Sequence, residues 1–140
     1  MLRQPASTLL HSARIPVRWG DMDSYGHVNN TCYIQYLEEA RIAWFAQIGL
    51  DIDRGSQGPV VLQVQHTYLK PVVHPATVVI ELYAGQLGRS SAVLEHRLTT
   101  LEDPSAVYGE GFCKLVLIDH AENRAVPLPE RLRALMNPSA

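Results

Sequence analysis

Cysteine and long apolar runs are both scarce in this sequence of 140 residues. Its two cysteines, Cys32 and Cys113, are too few for a disulfide framework, so a reducing, cytoplasmic setting is expected. No apolar stretch approaches the roughly 20 residues that a membrane-spanning helix needs. The sequence therefore predicts neither a disulfide-stabilised secreted protein nor one held in a membrane by helices.

A large excess of charge of either sign is also lacking. Lys and Arg number 12 and Asp and Glu 14, which gives a formal net charge of -2 at pH 7. This balance gives no electrostatic reason to expect nucleic acid or a membrane surface as a partner. The hydrophobic fraction of 46% and the charged fraction of 19% are typical of a compact protein. We expect one domain over residues 1–140, with its core at about 11–120.

Several catalytic and metal-binding patterns are missing as well. The sequence has no Gly-x-Ser-x-Gly nucleophile elbow and no phosphate-binding loop. The histidines other than His27 show no paired ligand spacing, so neither a metal nor another cofactor is predicted. They are His11, His66, His74, His96 and His120. Cys32 falls inside a predicted helix as a small apolar residue, which disfavours a thiol nucleophile.

The strongest helical pattern in the chain extends from about Asn30 to Ile48. Apolar residues recur there at three- and four-residue spacing, at Tyr33, Leu37, Ala40, Trp44 and Ile48. Few positions in this segment are polar, so we expect a largely buried helix. Gly49 follows where a left-handed C-cap is usual, and Leu50 can make the accompanying apolar contact.

Strand-like segments surround this helix. The first is His11–Trp19, interrupted by Pro16. After a polar loop at Asp51–Pro59, the apolar period changes to two in the segments Val60–Leu69, Thr77–Leu87, Ser90–Leu101 and Ala106–Asp119. Their short connections favour an antiparallel meander, and a short helix is predicted at Glu130–Met136. The pattern indicates an α+β protein in which one helix covers one curved sheet, whose free edge invites a symmetric partner.

The turn before the long helix concentrates the polar chemistry. Between Trp19 and the helix start lie two carboxylates, an imidazole and two amides, at Asp21, Asp23, His27, Asn29 and Asn30. A helix N-terminus presents unpaired N–H groups that can stabilise a developing oxyanion, and a nearby carboxylate can attack a carbonyl or activate water. Asp and Asn are also ordinary helix caps, so the residues alone indicate only an anion- or carbonyl-binding helix end.

The same stretch resembles a known enzyme family. The runs Trp19-Gly20-Asp21-Met22-Asp23 and Gly26-His27-Val28-Asn29-Asn30, with Leu37-Glu38-Glu39-Ala40-Arg41, are similar to the 4-hydroxybenzoyl-CoA thioesterase-like hotdog family. Tyr68-Leu69-Lys70-Pro71-Val72, Gly88-Arg89-Ser90-Ser91 and the strand from Gly109 to Asp119 extend the resemblance over about residues 11–120. It implies a hotdog fold, in which a long central helix is wrapped by a curved five-stranded antiparallel sheet. It also implies an acyl-CoA thioesterase that releases a free carboxylic acid and CoA.

The resemblance assigns roles within the turn. Asp23 corresponds to the catalytic carboxylate, acting as nucleophile or as general base, and the backbone N–H of Asn30 corresponds to the oxyanion donor. Asp21 is expected to be structural. His27 matches a functional histidine of plant acyl-carrier thioesterases, but those enzymes carry an Asn where this chain has Tyr25, so their full catalytic set is not reproduced.

The resemblance also implies where the substrate binds. In this family two sheets join edge to edge, and the acyl chain lies between the subunits near the helices, so a homodimer or homotetramer is expected. The predicted substrate-binding residues are Tyr25, Asn29, Tyr33 and Tyr36, with Lys70, Arg89 and Ser90 as candidates for the CoA phosphates. Two alternatives stay open, an acyl-carrier-protein thioesterase and a non-catalytic acyl-CoA-binding protein.

Overall fold

The computed structural model describes residues 7–50 and 56–138. Along the chain they form β1 (Leu9–Pro16), a 3₁₀ turn (Trp19–Asp21), α1 (Asn30–Gln47), β2 (Gln57–Tyr68), β3 (Thr77–Leu87), β4 (Ser91–Thr100), β5 (Gly109–Asp119), β6 (Arg124–Ala125) and α2 (Glu130–Met136). The predicted α+β class is confirmed, and α1 has 18 residues.

All the strands join one antiparallel sheet in the order β1-β3-β4-β5-β2, with β6 beside β5. β3, β4 and β5 form the predicted meander, but β2 pairs with β5 along its length, so the prediction that it pairs with its successor is wrong. The connection 69–76 is long enough to carry the chain across to β3. Val72 anchors this crossover, since its side chain is buried and its carbonyl accepts the N–H of Val28 at 2.9 Å.

Several predicted boundaries need correction. The predicted loop Asp51–Pro59 lies outside the described residues at 51–55, and 57–59 already belong to β2. The sheet has six strands instead of the predicted five, because the two residues of β6 fill the space beside β5 beyond the end of β4. β1 ends at Pro16 because the chain turns there, and Trp19 opens the 3₁₀ turn instead of ending a strand.

The core lies between α1 and the inward face of the sheet. Along β4 the inward residues alternate with half-buried ones, and Ala92, Leu94, His96 and Leu98 are all buried. The buried residues of α1 are Tyr33, Tyr36, Leu37, Ala40, Arg41, Trp44 and Phe45. Each fully buried large apolar side chain stabilises the fold by about 1.5–3 kcal/mol. The opposite side of α1, including Ile42 and Gln47, is exposed, so the helix is less buried in one chain than its sequence predicts.

The end of α1 is fixed by the chain's last helix. Gly49 has the predicted left-handed backbone, with φ of 73°, and the N–H of Leu50 reaches back to the carbonyl of Phe45. The guanidinium of Arg131 in α2 donates to the carbonyls of Ile48 and Gly49. Orphan carbonyls of the central helix are thus satisfied by a side chain from the distant end of the chain.

Candidate active site

A buried carboxylate holds the turn between β1 and α1 in place. Asp21 is 3% exposed, and its Oδ2 accepts the hydroxyl of Tyr36 at 2.7 Å and the N–H of Arg18 at 3.0 Å. The guanidinium of Arg18 donates to Oδ1 at 2.8 Å. Burial acts to raise the pKa of Asp21, but the hydrogen bonds from Tyr36 and Arg18 outweigh it and keep the pKa below its usual range. Asp21 therefore stays ionised as a structural anchor.

The Asp23 carboxylate lies at the surface end of this turn, partly buried. Its Oδ1 accepts the N–H of Tyr25 at 2.9 Å, and its Oδ2 accepts the side-chain amide of Asn29 at 3.2 Å. Gly26 closes the turn with φ of 78°, and its N–H donates to the carbonyl of Asp23. The carboxylate is oriented by two donors and remains accessible.

Asn29 connects this carboxylate to the helix. Its Oδ1 caps α1 by accepting the N–H of Thr31 at 2.9 Å, while its amide nitrogen donates to Asp23. Asn30 is the first helical residue, so its N–H has no acceptor within α1 and lies at the positive end of the helix dipole. The cap explanation is correct for Asn29, and the same cap brings a carboxylate beside a free backbone donor.

An open cleft adjoins this helix end. It encloses about 680 Å³ including its open mouth, and its lining residues are His27, Val28, Asn30, Tyr33, Tyr68, Leu69, Lys70 and Pro71. Tyr33 and Tyr68 form an aromatic wall, with ring centroids 5.0 Å apart in an edge-on arrangement. The hydroxyl of Tyr68 donates to the carbonyl of Asn30 at 2.9 Å. The cleft thus joins an apolar wall to a polar helix end, the combination typical of a small-molecule site.

Lys70 lies at the rim of this cleft. Its ammonium is 3.2 Å from a carboxylate oxygen of Asp103 and 5.0 Å from the ring centroid of Tyr108. The hydrogen bond to Asp103 raises the pKa of Lys70, which therefore remains cationic. Both partners of the ion pair are well exposed, so the ammonium can exchange Asp103 for another anion at little cost.

The structure brings together most of the predicted site residues. His27, Asn30, Tyr33 and Lys70 line the cleft, and Asp23, Tyr25 and Asn29 lie in the adjoining turn. Tyr36 is buried beneath the turn with its hydroxyl on Asp21, and it is not among the residues that line the cleft.

Arg89 and Ser90 lie at the opposite end of the sheet. The carbonyl of Ser90 accepts the N–H of Leu117, whereas Tyr68 pairs with Gly109, eight residues earlier in β5. At about 3.3 Å per residue, that separation is roughly 26 Å. Within one chain, these two residues do not reach the cleft.

Sequence reasoning missed Tyr68 as a site residue. Its hydroxyl contacts a carbonyl 38 positions earlier in the chain, and the contact depends on β2 lying at the sheet edge beside the start of α1. The only available signal was its place in the Tyr68-Leu69-Lys70-Pro71-Val72 run.

The described residues contain neither a metal-ligand cluster nor a membrane-spanning helix. Across residues 7–50 and 56–138, no three His, Cys, Asp or Glu side chains are grouped so that they could hold a metal ion. In the same part of the chain, neither helix has the length and apolar character needed to cross a membrane.

Sequence comparison defines the family. Residues 17–136 match the sequence model of the thioesterase-like superfamily. The long-chain acyl-CoA thioesterase FadM of Escherichia coli (strain K12) is 31% identical over 124 residues, which cover 86% of this chain and 92% of that protein. A 1,4-dihydroxy-2-naphthoyl-CoA hydrolase of Synechococcus elongatus is 32% identical over 125 residues, covering 84% and 88%.

Solved structures of similar proteins share the fold of this chain. The PA2801 protein of Pseudomonas aeruginosa superposes with a TM-score of 0.88 at 72% identity, over 91% of this chain and 98% of that one. A thioesterase from Thermus thermophilus, complexed with coenzyme A and Zn, has a TM-score of 0.78 at 32% identity and covers 93% of each chain. The chain belongs to the thioesterase-like superfamily, and the predicted hotdog fold and thioester hydrolase class are confirmed.

Proposed function

We propose that this protein hydrolyses acyl-CoA thioesters to a free carboxylic acid and CoA, with Asp23 as the reacting carboxylate. The observation that carries the proposal is the double role of Asn29, which holds Asp23 with its amide nitrogen and caps α1 with its oxygen. This arrangement sets a carboxylate beside the unpaired N–H of Asn30 at the mouth of the cleft. The named relatives act on CoA thioesters, which supports the substrate class.

The chemistry follows from these two groups. The thioester carbonyl oxygen accepts the N–H of Asn30 and lies in the field of the helix dipole, so negative charge developing there is stabilised. The Asp23 carboxylate then attacks the carbonyl carbon, forming an anhydride that water hydrolyses, or it removes a proton from an attacking water. In both routes the C–S bond breaks and the CoA sulfur leaves as a thiolate that takes up a proton. His27, at the cleft mouth, is placed to orient water.

The substrate is proposed to lie along the cleft. Tyr33, Tyr68 and Leu69 supply apolar contact for the acyl group near the carbonyl, and Tyr25 lies exposed beside Asp23. Lys70 at the rim offers its ammonium to a CoA phosphate in exchange for Asp103. Apolar pockets discriminate by only about 1–3 kcal/mol per methylene, so we expect several acyl lengths to be hydrolysed.

A homodimer is proposed through the free edge of β2. This edge exposes apolar residues, namely Val61, Leu62, Tyr68 and Leu69. If β2 pairs antiparallel with β2 of a second copy, the end of one strand meets the start of the other. The beginning of β4 in the second copy then lies three strand spacings from Tyr68, about 14 Å. This pairing brings Arg89 and Ser90 of that copy far closer to the cleft than those of the same chain. The two free cysteines favour a cytoplasmic location.

The proposal is tested by thiol release from a panel of acyl-CoAs, short, long and aromatic, with wild type and Asp23→Asn. We expect kcat to fall by about 10²–10⁴-fold in Asp23→Asn, because Asn neither attacks a thioester nor accepts a proton from water. Glu81→Gln, a carboxylate change on β3 beside the opposite edge strand β1, serves as the matched control and should retain activity.

Other outcomes distinguish the alternatives. Equal activity in wild type and Asp23→Asn would remove Asp23 from the mechanism. If no CoA ester is turned over but acyl-carrier protein thioesters are, the substrate assignment is wrong while the site assignment stands. Tight acyl-CoA binding without turnover would indicate a binding protein.

A further inference from the structure

Two histidines that the proposed mechanism does not use lie behind the cleft, His96 buried and His66 half-buried. His66 on β2 and His96 on β4 are joined by a hydrogen bond of 2.8 Å between Nδ1 of His66 and Nε2 of His96. Their rings are nearly parallel, at 19°, with centroids 5.0 Å apart. His96 is 2% exposed.

Glycines in β5 make this contact possible. The strands of the two histidines are not neighbours, because β5 runs between them. Gly111 is the register partner of both His66 and His96, so no side chain stands between the rings. At Gly109, an added Cβ would lie 2.4 Å from Nε2 of His66. Both positions therefore need glycine for the histidine pair to form.

For stability alone, the histidine pair is less favourable than two apolar side chains would be at these positions. Burial lowers the pKa of His66 to about 4, so the ring is neutral at physiological pH. Nε2 of His66 is buried and has no hydrogen-bond partner within the described part of the chain. A buried polar atom without a partner destabilises the fold, and two apolar side chains would avoid this penalty. Buried polar atoms without a partner are found mainly at functional sites.

The ring of His66 packs against Tyr33 and Tyr68, which line the cleft. It contacts the ring of Tyr68 edge-on, at 4.7 Å and 82°, and the ring of Tyr33 at 5.6 Å. Tyr68 donates its hydroxyl to the carbonyl of Asn30, the first residue of α1. A continuous chain of contacts therefore runs from His96 through His66 and Tyr68 to the residue whose N–H is the proposed oxyanion donor.

Within one chain, the ring of Tyr68 is held by the rings of Tyr33 and His66. The Tyr68 side chain is 47% exposed on β2, with no neighbouring strand beyond it in the described part of the chain. Tyr33, on the other side of the ring, is itself fixed because its hydroxyl accepts the N–H of Val72 at 3.0 Å. His66 supplies the remaining wall, and the hydrogen bond to His96 fixes the plane of the His66 ring.

We propose that the His66–His96 pair is a positioning unit for thioester hydrolysis: it holds Tyr68, and through the Tyr68 hydroxyl it fixes the first turn of α1 so that the Asn30 N–H faces the substrate carbonyl. The inference rests on the proposed role of Asn30. Neither histidine exchanges a proton with substrate. Their contribution is orientation, which affects the transition state more than ground-state binding because the oxyanion forms only during reaction.

The test compares His96→Leu with His96→Gln, together with Tyr68→Phe and the double variant His96→Leu/Tyr68→Phe. Small misplacements of catalytic groups can cost up to about 100-fold, so we expect His96→Leu to lower kcat roughly tenfold with KM changed less than about twofold. His96→Gln carries a nitrogen near the position of Nε2 and should restore most of the lost kcat. The double variant should lose no more than the worse single variant, because both changes break the same chain of contacts. His11→Gln, on β1 at the opposite edge of the sheet, is the control for loss of a histidine.

Several results would overturn the proposal. They are unchanged kcat in Tyr68→Phe, fully multiplicative losses in the double variant, or equal losses in His96→Leu and His96→Gln. If His96→Leu does not fold, Tyr68→Phe still decides, since it removes only a surface hydroxyl. The amide NMR shift of Asn30 supplies a readout without catalysis, and it should move in His96→Leu and Tyr68→Phe but not in His11→Gln. A moved shift with intact kcat would point to failure of the Asn30 assignment, whereas an unmoved shift would refute the positioning unit itself.

Discussion

At the scale of single residues, Asn29 shows how one side chain serves structure and chemistry together. The oxygen of its amide caps α1 and the nitrogen holds Asp23, so neither function can be assigned to the position alone. A short turn connects Asp23 to the start of α1, and the Asn29 amide holds the Asp23 carboxylate beside that start at 3.2 Å. To separate the capping role of Asn29 from its hydrogen bond to Asp23, a substitution must keep one and remove the other.

Asn29→Asp makes that separation. The new carboxylate still accepts the N–H of Thr31, and Asp is as good a cap as Asn, so we expect unfolding free energy to change by less than about 0.5 kcal/mol. The donor to Asp23 is lost and a second negative charge appears beside it, which should lower kcat at least about tenfold. Asn29→Ala, by contrast, should cost about 1 kcal/mol of stability as well. Urea unfolding and thiol release measure the two effects, and equal activity of Asn29→Asp and wild type would contradict the role of the hydrogen bond.

Sequence reasoning performed well for local residues and poorly for distant ones. Gly49 as a left-handed cap follows from the local sequence pattern, whereas the expected roles of Asp21 and of the Asn30 N–H came from the family resemblance. Tyr68 and the His66–His96 pair could not be predicted, because their contacts span 38 and 30 positions and depend on the strand order. The histidines looked isolated in the sequence, and only Gly111 between their strands lets them meet.

At the scale of secondary-structure elements, the inward face of the sheet contains a pH-sensitive layer. Burial first, and then the charges of His66 and Arg41, lower the pKa of His96 to about 3. The unfolded chain therefore binds more protons than the folded one below about pH 6.5, the ordinary histidine value. Stability is complete above that pH and declines as the pH falls toward 4.

Replacing both histidines tests this layer. We expect wild type to lose up to about 1.4 kcal/mol of unfolding free energy per pH unit and per histidine between pH 6.5 and about 4. His66→Leu/His96→Leu removes both partners at once, leaving no orphaned group, and should show a flatter curve over the same window. Tyr33, Tyr68 and Arg41 also face the pair and remain in both proteins, so the difference isolates the histidines. Parallel curves, measured by urea titration at each pH, would refute the assignment.

The positions of the helices and strands follow from the apolar periodicity of the sequence, whereas the order of the strands in the sheet does not. The two helices and all four later strands lie within about three residues of their predicted positions, because their apolar spacing is unambiguous. The pairing of β2 was wrong because a short connection suggests a neighbouring strand. Only the buried Val72 in the connection reveals that the chain passes beneath the helix start.

At the scale of the whole molecule, the two edges of the sheet differ in what they expose. β2 presents Val61, Leu62 and Tyr68 along one edge, and β1 presents Leu9 at the other. We expect Leu62→Asp to convert the proposed dimer to monomer and to reduce activity, because Arg89 and Ser90 of the second copy then no longer approach the cleft. Leu9→Asp is the matched control and should leave both unchanged. Sedimentation velocity with parallel thiol-release assays checks the outcome, and dissociation by Leu9→Asp alone would move the interface to β1.

The strand order also determines when each strand can pair during synthesis of the chain. β2 is translated long before β5, yet β5 is its only partner in the sheet formed by the described residues of one chain. Until about residue 119 has left the ribosome, a strand of 12 residues carrying exposed apolar side chains has no β5 to pair with. The carbonyls of Ile48 and Gly49 can accept their hydrogen bonds only later still, once Arg131 has been synthesised. From residue 68 to residue 119, the nascent chain therefore carries β2 without the strand that pairs with it in the finished sheet.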